Sequence, residues 1–307
     1  MSNLLTRVLV AAVAIPLALL IVWYGGFPLA VLVIVAAVLA TRELFDLAEK
    51  SGVRPLRGFG LLLAALAPFA TWLLAGARGA ELVVQPAGSD SVASRALADI
   101  PLWLFMQWPL AGALIPVAML AAVLWRRAPG DRPLATAAVT LFAPLYCGVL
   151  PAALLVIRYA AGPGKSWGAT WLVFFPLVVT WLCDSFAMWG GKAIGGPKLM
   201  PTVSPGKTRS GAVAGLAGGV VTALLYVPLA LAPVGRAFPL ALAAVMGLVI
   251  ALVAQVGDLA ESLLKREAGV KDSSALIPGH GGVLDRLDSL YFVLPVTALL
   301  YRAFGVL

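Results

Sequence analysis

The residues of this chain best suited to chemistry lie between positions 255 and 288, where acidic, basic and hydroxyl side chains are concentrated. Asp258, Glu261 and Lys265 recur at three- and four-residue steps, which places them on one face of an α-helix. Asp285 and Asp288 are also expected to share a helical face, at the entry to the last apolar segment. Carboxylates that converge with lysine and arginine suit a Mg²⁺ ion that bridges to phosphate groups, because Mg²⁺ prefers oxygen ligands. A purely structural cluster of ion pairs is the alternative.

A second polar position, Asp184, interrupts the apolar run 181–189. An ionised carboxylate in a membrane-spanning run costs about 2.5–3.5 kcal/mol on insertion scales, so it requires a partner or a water-filled cavity. This cost favours a functional role for Asp184. The alternative is a carboxylate that is simply paired with Lys192 or with a backbone donor.

Two glycine-containing loops could bind phosphate through backbone N–H groups. Residues 204–208 end like a P-loop, but Pro201 stands where that motif requires glycine, and no βαβ unit surrounds it. The segment is therefore not a Walker site, although the helix that follows it could still bind phosphate at its N-terminus. His280, the single histidine, lies in Pro-Gly-His-Gly-Gly, where phosphate contact or loop shaping is favoured over acid–base catalysis.

Composition indicates what kind of fold positions these residues. Of 307 residues, 62% are apolar and 12% are charged, with a mean hydropathy of +0.99, whereas soluble domains carry about 25% charged residues. Soluble enzymes, disordered chains and disulfide scaffolds are excluded, and an all-α polytopic membrane protein is predicted. Cys147 and Cys183 lie in apolar runs and are expected to be inert. The net charge of +8 points to membrane topology and anionic headgroups, not to nucleic acid.

Nine apolar segments are long enough to span a bilayer, which takes about 20 residues for each helix. They cover residues 4–24, 27–45, 58–77, 101–125, 134–157, 168–190, 211–233, 237–257 and 287–305. We expect a single membrane domain over 1–307, with helices 1–5 in residues 1–160 and helices 6–9, which carry the polar motifs, in residues 161–307. The polar segment 78–100 has no assigned structure.

Basic residues divide unevenly between the two sides of such a protein. The side that holds the N-terminus carries 16 of the 22 lysines and arginines, and the other side carries 6. The positive-inside rule therefore predicts that the N-terminus and both polar motifs are cytoplasmic. A multi-pass protein of the plasma (inner) membrane is expected.

Glycine recurs every four residues in the seventh span, at Gly211, Gly215 and Gly219. Small residues at this spacing let helices pack closely. Packing within one chain is favoured over a seam between two copies, and a homodimer is kept as the alternative.

Residues 262–288 resemble the hallmark motif of the phosphatidate cytidylyltransferases, the CDP-diacylglycerol synthases. The fixed positions of that pattern are all filled, by Ser262, Lys265, Arg266, Lys271, Asp272, His280, Gly281, Gly282, Asp285, Arg286 and Asp288. The upstream segments 184–185 and 255–262 also fit the family. The first half of the chain resembles the family only in its hydrophobic character.

The loop before the seventh span departs from the family, in which it resembles Ser-Pro-Lys-Lys-Thr-Trp-Glu-Gly. Gly206, Arg209 and Ser210 replace the first lysine, the tryptophan and the glutamate. The positions that keep the family residue are Ser204, Pro205, Lys207, Thr208 and Gly211. These departures bear on contacts with lipid or nucleotide and leave the main resemblance intact.

The resemblance implies the reaction CTP + phosphatidate → CDP-diacylglycerol + pyrophosphate, with Mg²⁺, alone or with a second cation, as cofactor. Such a transfer requires alignment and charge neutralisation more than covalent catalysis. The catalytic residues implied are Asp258, Asp285, Lys265, Arg266 and Asp288. The metal ligands implied are Asp258, Asp285 and Asp184. The substrate contacts implied are Ser204, Lys207, Thr208, Ser262, Lys271, His280, Gly281, Gly282 and Arg286.

Three alternatives stay open. A relative that acts on another lipid phosphate or on an isoprenoid alcohol, such as a CDP-archaeol synthase or a polyprenol kinase, would differ in its cavity walls. A transporter would use Asp184 and Asp258 as coupling groups near the membrane midplane, often in repeated halves, but no repeat is found. A non-catalytic relative would be consistent with the altered loop 204–211.

Overall fold

The structure, a computed structural model, describes residues 3–81, 110, 112–162, 164–277 and 281–307. Most of these residues are helical. The helices are α1 (Asn3–Tyr24), α2 (Gly26–Lys50), α3 (Arg57–Glu81), α4 (Gly112–Arg126), α5 (Pro133–Ala160), α6 (Trp167–Ile194), α7 (Arg209–Val234), α8 (Leu240–Glu267), α9 (Val283–Leu287) and α10 (Leu290–Ala303). A hairpin pairs β1 (Lys198–Met200) with β2 (Ser204–Thr208) in antiparallel register.

Six helices in the described part of the chain are long and apolar enough to cross a membrane, namely α2, α3, α5, α6, α7 and α8. The other three predicted spans coincide, where they are described, with the apolar helices α1, α4 and α10. The chain is therefore an all-α multi-pass membrane protein, as predicted, but the total of nine spans is not confirmed. The polar segment predicted at 78–100 lies outside the described residues from position 82 onward.

The helix α8 continues well past the apolar segment from which it was predicted and reaches Glu267. Its last turns are polar but contain no proline, so helical hydrogen bonding continues. Gly269, with a left-handed φ of 70°, then ends the helix, as Gly195 with a φ of 68° ends α6. Asp258 and Lys265 consequently lie on one continuous helix.

One local prediction is wrong. Residues 204–208, expected as a loop, form strand β2 of the hairpin, whose turn is closed by a 3.2 Å hydrogen bond from the N–H of Val203 to the carbonyl of Met200. Asp285 and Asp288 lie at the entry to the last span, where α9 ends at Leu287 and α10 begins at Leu290. Asp288 and Ser289 between them keep right-handed helical dihedrals, and the carboxylate of Asp288 accepts a hydrogen bond from the N–H of Ser289 at 2.6 Å.

Two buried clusters determine how these helices pack around the polar motifs. The larger lies where α5, α6, α7, α8 and α10 meet and includes Phe175 and Tyr301, whose hydroxyl donates to the carbonyl of Leu172 at 3.0 Å. The other joins α2 to α5, α9 and α10 through residues such as Phe45 and Leu284. This second cluster places the end of α2 directly against α9.

The glycine face of α7 packs inside the chain. A Cβ atom at Gly211 would lie 2.6 Å from the carbonyl oxygen of Ala187 on α6, and one at Gly219 would lie 2.5 Å from the Cβ of Ala251 on α8. The predicted packing within one chain is confirmed, so this face is not available as a seam between two copies.

Arg158 is a buried cation that joins the end of α1 to the loop after α5. Its guanidinium donates, at 2.5–3.2 Å, to the carbonyls of Val22, Trp23, Gly162 and Gly164. Because the substitution Arg158→Leu would leave these carbonyls without donors, we expect it to lower stability by about 3 kcal/mol or more. The thermal midpoint in detergent measures this loss, with the exposed Arg302→Leu as control. Equal midpoints for the two variants would contradict it.

Candidate active site

A cavity of about 740 Å³ opens beside the hairpin, between the ends of α6, the start of α7 and α8. Four of the predicted site residues line it, namely Asp184, Lys207, Thr208 and Asp258. Lys192 and Lys198 add positive charge to the same walls. The volume falls within the range of about 300–1,000 Å³ that is usual for small-molecule pockets.

Lys207 and Asp258 form an ion pair at this cavity. The lysine lies on β2 and the carboxylate on α8, and Nζ lies 2.5 Å from Oδ2. The side chains remain 29% and 28% exposed, so a charged ligand can reach both. Next to the pair, the Oγ1 of Thr208 accepts a hydrogen bond from the N–H of Gly211 at 3.1 Å, which caps α7 and fixes its start beside the cavity.

Two further carboxylates, of Asp184 and Asp288, lie near Asp258 of this ion pair. Asp184 on α6, Asp258 on α8 and Asp288 after α9 lie close enough for their charges to influence one another. Among the described residues, Asp184 forms no salt bridge, so the alternative in which Lys192 neutralises it is not observed. Asp184 is instead an accessible carboxylate on the cavity wall.

The carboxylates of Asp184 and Asp258 on the cavity wall could provide part of the ligand shell of a divalent cation. Within the described ranges, no three acidic, histidine or cysteine side chains converge enough to hold a metal ion by themselves. Mg²⁺ usually takes only one or two carboxylates and completes its shell with water and substrate phosphates. One turn beyond Asp258, the Oε2 atom of the buried Glu261 has no hydrogen-bond donor among the described residues.

A second polar cluster is buried where α8 meets α9. The Nζ atom of Lys265 lies 2.7 Å from Oδ1 of Asp285 and 3.0 Å from Oε1 of Glu261. Glu261 is fully buried, and Lys265 and Asp285 are 9% and 6% exposed. One cation therefore balances two carboxylates away from water, an arrangement whose stability depends on its being complete.

The second oxygen of Asp285 accepts hydrogen bonds from the segment that joins α8 (ending at Glu267) to α9 (beginning at Val283), which we call the motif loop. Its Oδ2 accepts from the N–H and the Oγ of Ser273, each at 2.8 Å, and from the N–H of Gly282 at 2.9 Å. Burial disfavours the ionised form of Asp285, but Lys265 and these donors outweigh it and hold the pKa below its usual value. In this arrangement Asp285 organises the loop, and its predicted role as a metal ligand would require it to release Lys265.

Two other predicted residues contact neighbouring groups. Arg266 donates to the carbonyls of Val203 and Val270, at 3.1 and 3.0 Å, and so ties the end of α8 to the hairpin turn. The hydroxyl of Ser262 donates to Oδ1 of Asp258 at 3.4 Å, a long hydrogen bond beside the ion pair with Lys207.

The remaining predicted residues are not gathered at the cavity. Lys271 and Arg286 are exposed, and Ser204 begins β2 opposite Met200 without lining the cavity. Gly281 forms an isolated bridge with Ile277. His280 lies outside the described residues.

The loop that departs from the family pattern has defined roles at the cavity. Ser210 donates from Oγ to the carbonyl of Gly195 and lies 3.1 Å from Oγ1 of Thr208, which ties the end of α6 to the start of α7. Gly206 lines the cavity, and a Cβ there would meet nothing within 4 Å. The position at which the family has a lysine is therefore open space in this protein. The side chain of Arg209 is exposed.

Glu43, a buried carboxylate on α2 that contacts the motif loop, was not predicted from the sequence as a site residue. Its partners include Ser273, 230 residues further along the chain, and Leu284 on α9. An acidic residue inside the predicted span 27–45 is the same kind of signal that drew attention to Asp184, and it could have been noticed on that ground.

Comparisons with known proteins agree with these features. The Cytidylyltransferase family matches the chain over residues 5–304. Phosphatidate cytidylyltransferases of Brucella abortus (biovar 1, strain 9-941) and Bacillus subtilis (strain 168) are 47% and 41% identical to it over 137 and 140 residues. These alignments cover 45% and 46% of this chain and 47% and 50% of the relatives, so the chain spans about half the length of these relatives.

A third relative is similar along nearly the whole chain. Phosphatidate cytidylyltransferase 5, chloroplastic, of Arabidopsis thaliana is 31% identical over 307 residues, which cover 93% of this chain and 69% of the relative. The family match extends from the first helix to the last, and this alignment covers more than nine-tenths of the chain. The chain therefore belongs to the cytidylyltransferase family.

Proposed function

We propose that this protein transfers CMP from CTP to phosphatidate and so produces CDP-diacylglycerol and pyrophosphate. The observation that carries the proposal is the cavity in which the ion pair of Lys207 and Asp258 faces Asp184, in a chain whose relatives are named phosphatidate cytidylyltransferases. The same groups would suit a triphosphate, because cations pair with its oxygens and carboxylates can share a divalent ion with it.

In the proposed reaction, a phosphate oxygen of the lipid attacks the α-phosphorus of CTP. The bond from that phosphorus to the oxygen bridging the α- and β-phosphates breaks, and pyrophosphate leaves with that oxygen and the electron pair. The attacking group is already an anion, so no general base is required. The protein must align the two phosphates and offset their repulsion, a role suited to Lys207, Lys192 and Lys198 at the cavity.

Asp258 and Asp184 are the residues that would hold Mg²⁺, alone or with a second cation, and Asp288 lies near enough to contribute charge. When bound, the ion would supply charge neutralisation on the transferring phosphate group. Asp285 would bind the ion as well only if its carboxylate gave up the contact with Lys265.

We also infer that the site faces the cytoplasm at the surface of the plasma membrane, because basic loops favour that side and CTP is cytosolic. Exposed apolar side chains of Met188, which lines the cavity, and of Trp189 support sideways entry of a lipid whose tails stay in the bilayer. The homodimer stays a prediction, and its interface would use a surface other than the buried glycine face of α7.

The test supplies CTP, Mg²⁺ and phosphatidate to the protein purified in detergent. CDP-diacylglycerol and pyrophosphate are expected in equal amounts. The substitution Lys207→Met should lower kcat/KM for CTP by about 10- to 100-fold, the effect of one lost charged hydrogen bond, while the exposed Lys50→Met should leave it unchanged. A folded protein that forms no product with varied lipids and metals would refute the proposal, and product from a polyprenol or archaeal lipid alone would assign another acceptor.

A further inference from the structure

Glu43 occupies an unusual position for an acidic residue in a membrane-spanning helix. It lies near the end of α2, between Arg42 and Leu44, and its side chain is 4% exposed. No salt bridge involves it among the described residues, so its charge is offset by hydrogen bonds alone. An acidic side chain is almost never buried in this way without extensive pairing.

Each carboxylate oxygen of Glu43 accepts two hydrogen bonds, one from the motif loop and one from α9. Oε1 accepts from the hydroxyl of Ser274 at 2.7 Å and from the N–H of Val283 at 3.1 Å. Oε2 accepts from the hydroxyl of Ser273 at 2.9 Å and from the N–H of Leu284 at 2.8 Å. A side chain of the N-terminal half thus supplies the cap for α9, whose first N–H groups have no partners within the helix.

The contacts of Glu43 and Asp285 interlock. The hydroxyl of Ser273 lies 2.9 Å from Glu43 and 2.8 Å from Asp285, so its single proton is shared between the two carboxylates. Gly282 lies between them, since a Cβ there would be 2.3 Å from Oε2 of Glu43 and 2.2 Å from the hydroxyl of Ser273. Only glycine allows both carboxylates to approach the start of α9 this closely.

We propose that Glu43 is a positioning residue for the transfer reaction: it holds α9 and the loop before it so that Asp285 and Asp288 keep their places beside Lys265 and Asp258. This inference rests on the proposed function. Glu43 does not line the cavity beside the hairpin, and the four hydrogen bonds described above all go to the loop after α8 and to α9. Loss of its charge should therefore impair the chemical step more than the binding of CTP.

The substitution Glu43→Gln tests the proposal because it keeps the shape of the side chain. The amide can accept hydrogen bonds on one side only, so the N–H of either Val283 or Leu284 loses its acceptor, while the two serine hydroxyls can reorient. We expect kcat to fall at least tenfold and KM for CTP to change less than threefold. The matched control is Glu49→Gln, on the exposed end of the same helix, where the carboxylate pairs with Arg57.

Amide hydrogen exchange supplies a readout that does not depend on activity. Peptides that cover residues 281–288 should exchange at least tenfold faster in Glu43→Gln, whereas those covering the hairpin, residues 198–208, should not change. Ser274→Ala removes one of the four donors to Glu43. On a logarithmic scale it should lower kcat and speed up exchange by about a third as much as Glu43→Gln. This variant therefore tests the proposal if Glu43→Gln does not fold.

The outcomes separate the two proposals. Unchanged kcat in a folded Glu43→Gln protein, or a fall in kcat with no faster exchange at residues 281–288, would overturn the positioning role. Exchange that rises equally throughout the chain would also overturn it, because that result indicates general destabilisation. If the wild-type protein makes no CDP-diacylglycerol, the proposed function fails, while faster exchange confined to residues 281–288 would still show that Glu43 holds the loop.

Discussion

The substitution Asp258→Asn is expected to reduce kcat/KM for CDP-diacylglycerol formation by about 100- to 1,000-fold, with little change in the thermal midpoint. Asp258 is 28% exposed in its side chain and contacts Lys207 and Ser262 at the edge of the cavity, so the amide can be accommodated without burying an unpaired charge. The variant loses the charge that would face both the lysine and a divalent cation. Formation of labelled CDP-diacylglycerol from CTP measures the effect.

The control for Asp258→Asn is Glu267→Gln, which removes an exposed carboxylate from the same helix. Wild-type activity in the control and a large loss of activity in Asp258→Asn would show that the loss comes from the position of Asp258 at the cavity. It would also show that a lower negative charge on α8 is not enough to cause the loss. If Asp258→Asn kept more than a tenth of the wild-type kcat/KM at saturating Mg²⁺, Asp258 would not be a metal ligand or an essential group. Asp285→Asn is less informative, because Asp285 also holds Lys265, Ser273 and Gly282.

Hydropathy predicts much of this fold because a bilayer admits few alternatives to an apolar helix of about 20 residues. Each of the nine apolar segments coincides with a helix where the structure describes it. The polar motif also predicts part of the site: Lys207 and Asp258, assigned from the resemblance to the same site, do meet at the cavity. Residue type and spacing suffice there because Asp258 directly follows the apolar segment 237–257 and Lys207 lies just before the apolar segment 211–233.

The contacts that cross the chain could not be predicted in the same way. Glu43 and the N–H groups of Val283 and Leu284 are 240 and 241 residues apart, and neither periodicity nor hydropathy shows which buried carboxylate caps which helix. The partners of Asp285 could not be predicted either. A metal ion, Lys265 and the N–H groups of the loop are all suitable partners for a carboxylate, and the sequence does not show which of them it contacts. These choices depend on how α2 and α8 pack against α9, which is a property of the folded chain.

The substitution Lys265→Met should cause the largest loss of stability at this site. Lys265 is the one cation that contacts Glu261 and Asp285 among the described residues, and all three side chains are buried. Removing it leaves two carboxylates away from water without a counter-charge, for which a loss of about 3–5 kcal/mol is typical. The thermal midpoint in detergent should fall far below that of Lys271→Met, which removes an exposed lysine from the same motif.

A second substitution shows whether the uncompensated charge is the cause. Oε2 of Glu261 has no hydrogen-bond donor among the described residues and Oε1 contacts Lys265, so once that lysine is removed Glu261→Gln takes away a carboxylate without breaking a further contact. Added to Lys265→Met, it should restore part of the lost stability, whereas Glu267→Gln, which changes an exposed carboxylate of the same helix, should restore none. If neither substitution recovers stability, the loss comes from the packing of the lysine stem, and the buried cluster is not held together by its charge balance. Recovery with Glu261→Gln alone would show that Lys265 stabilises α8 and α9 by neutralising these two carboxylates, a role distinct from any contact it makes with substrate.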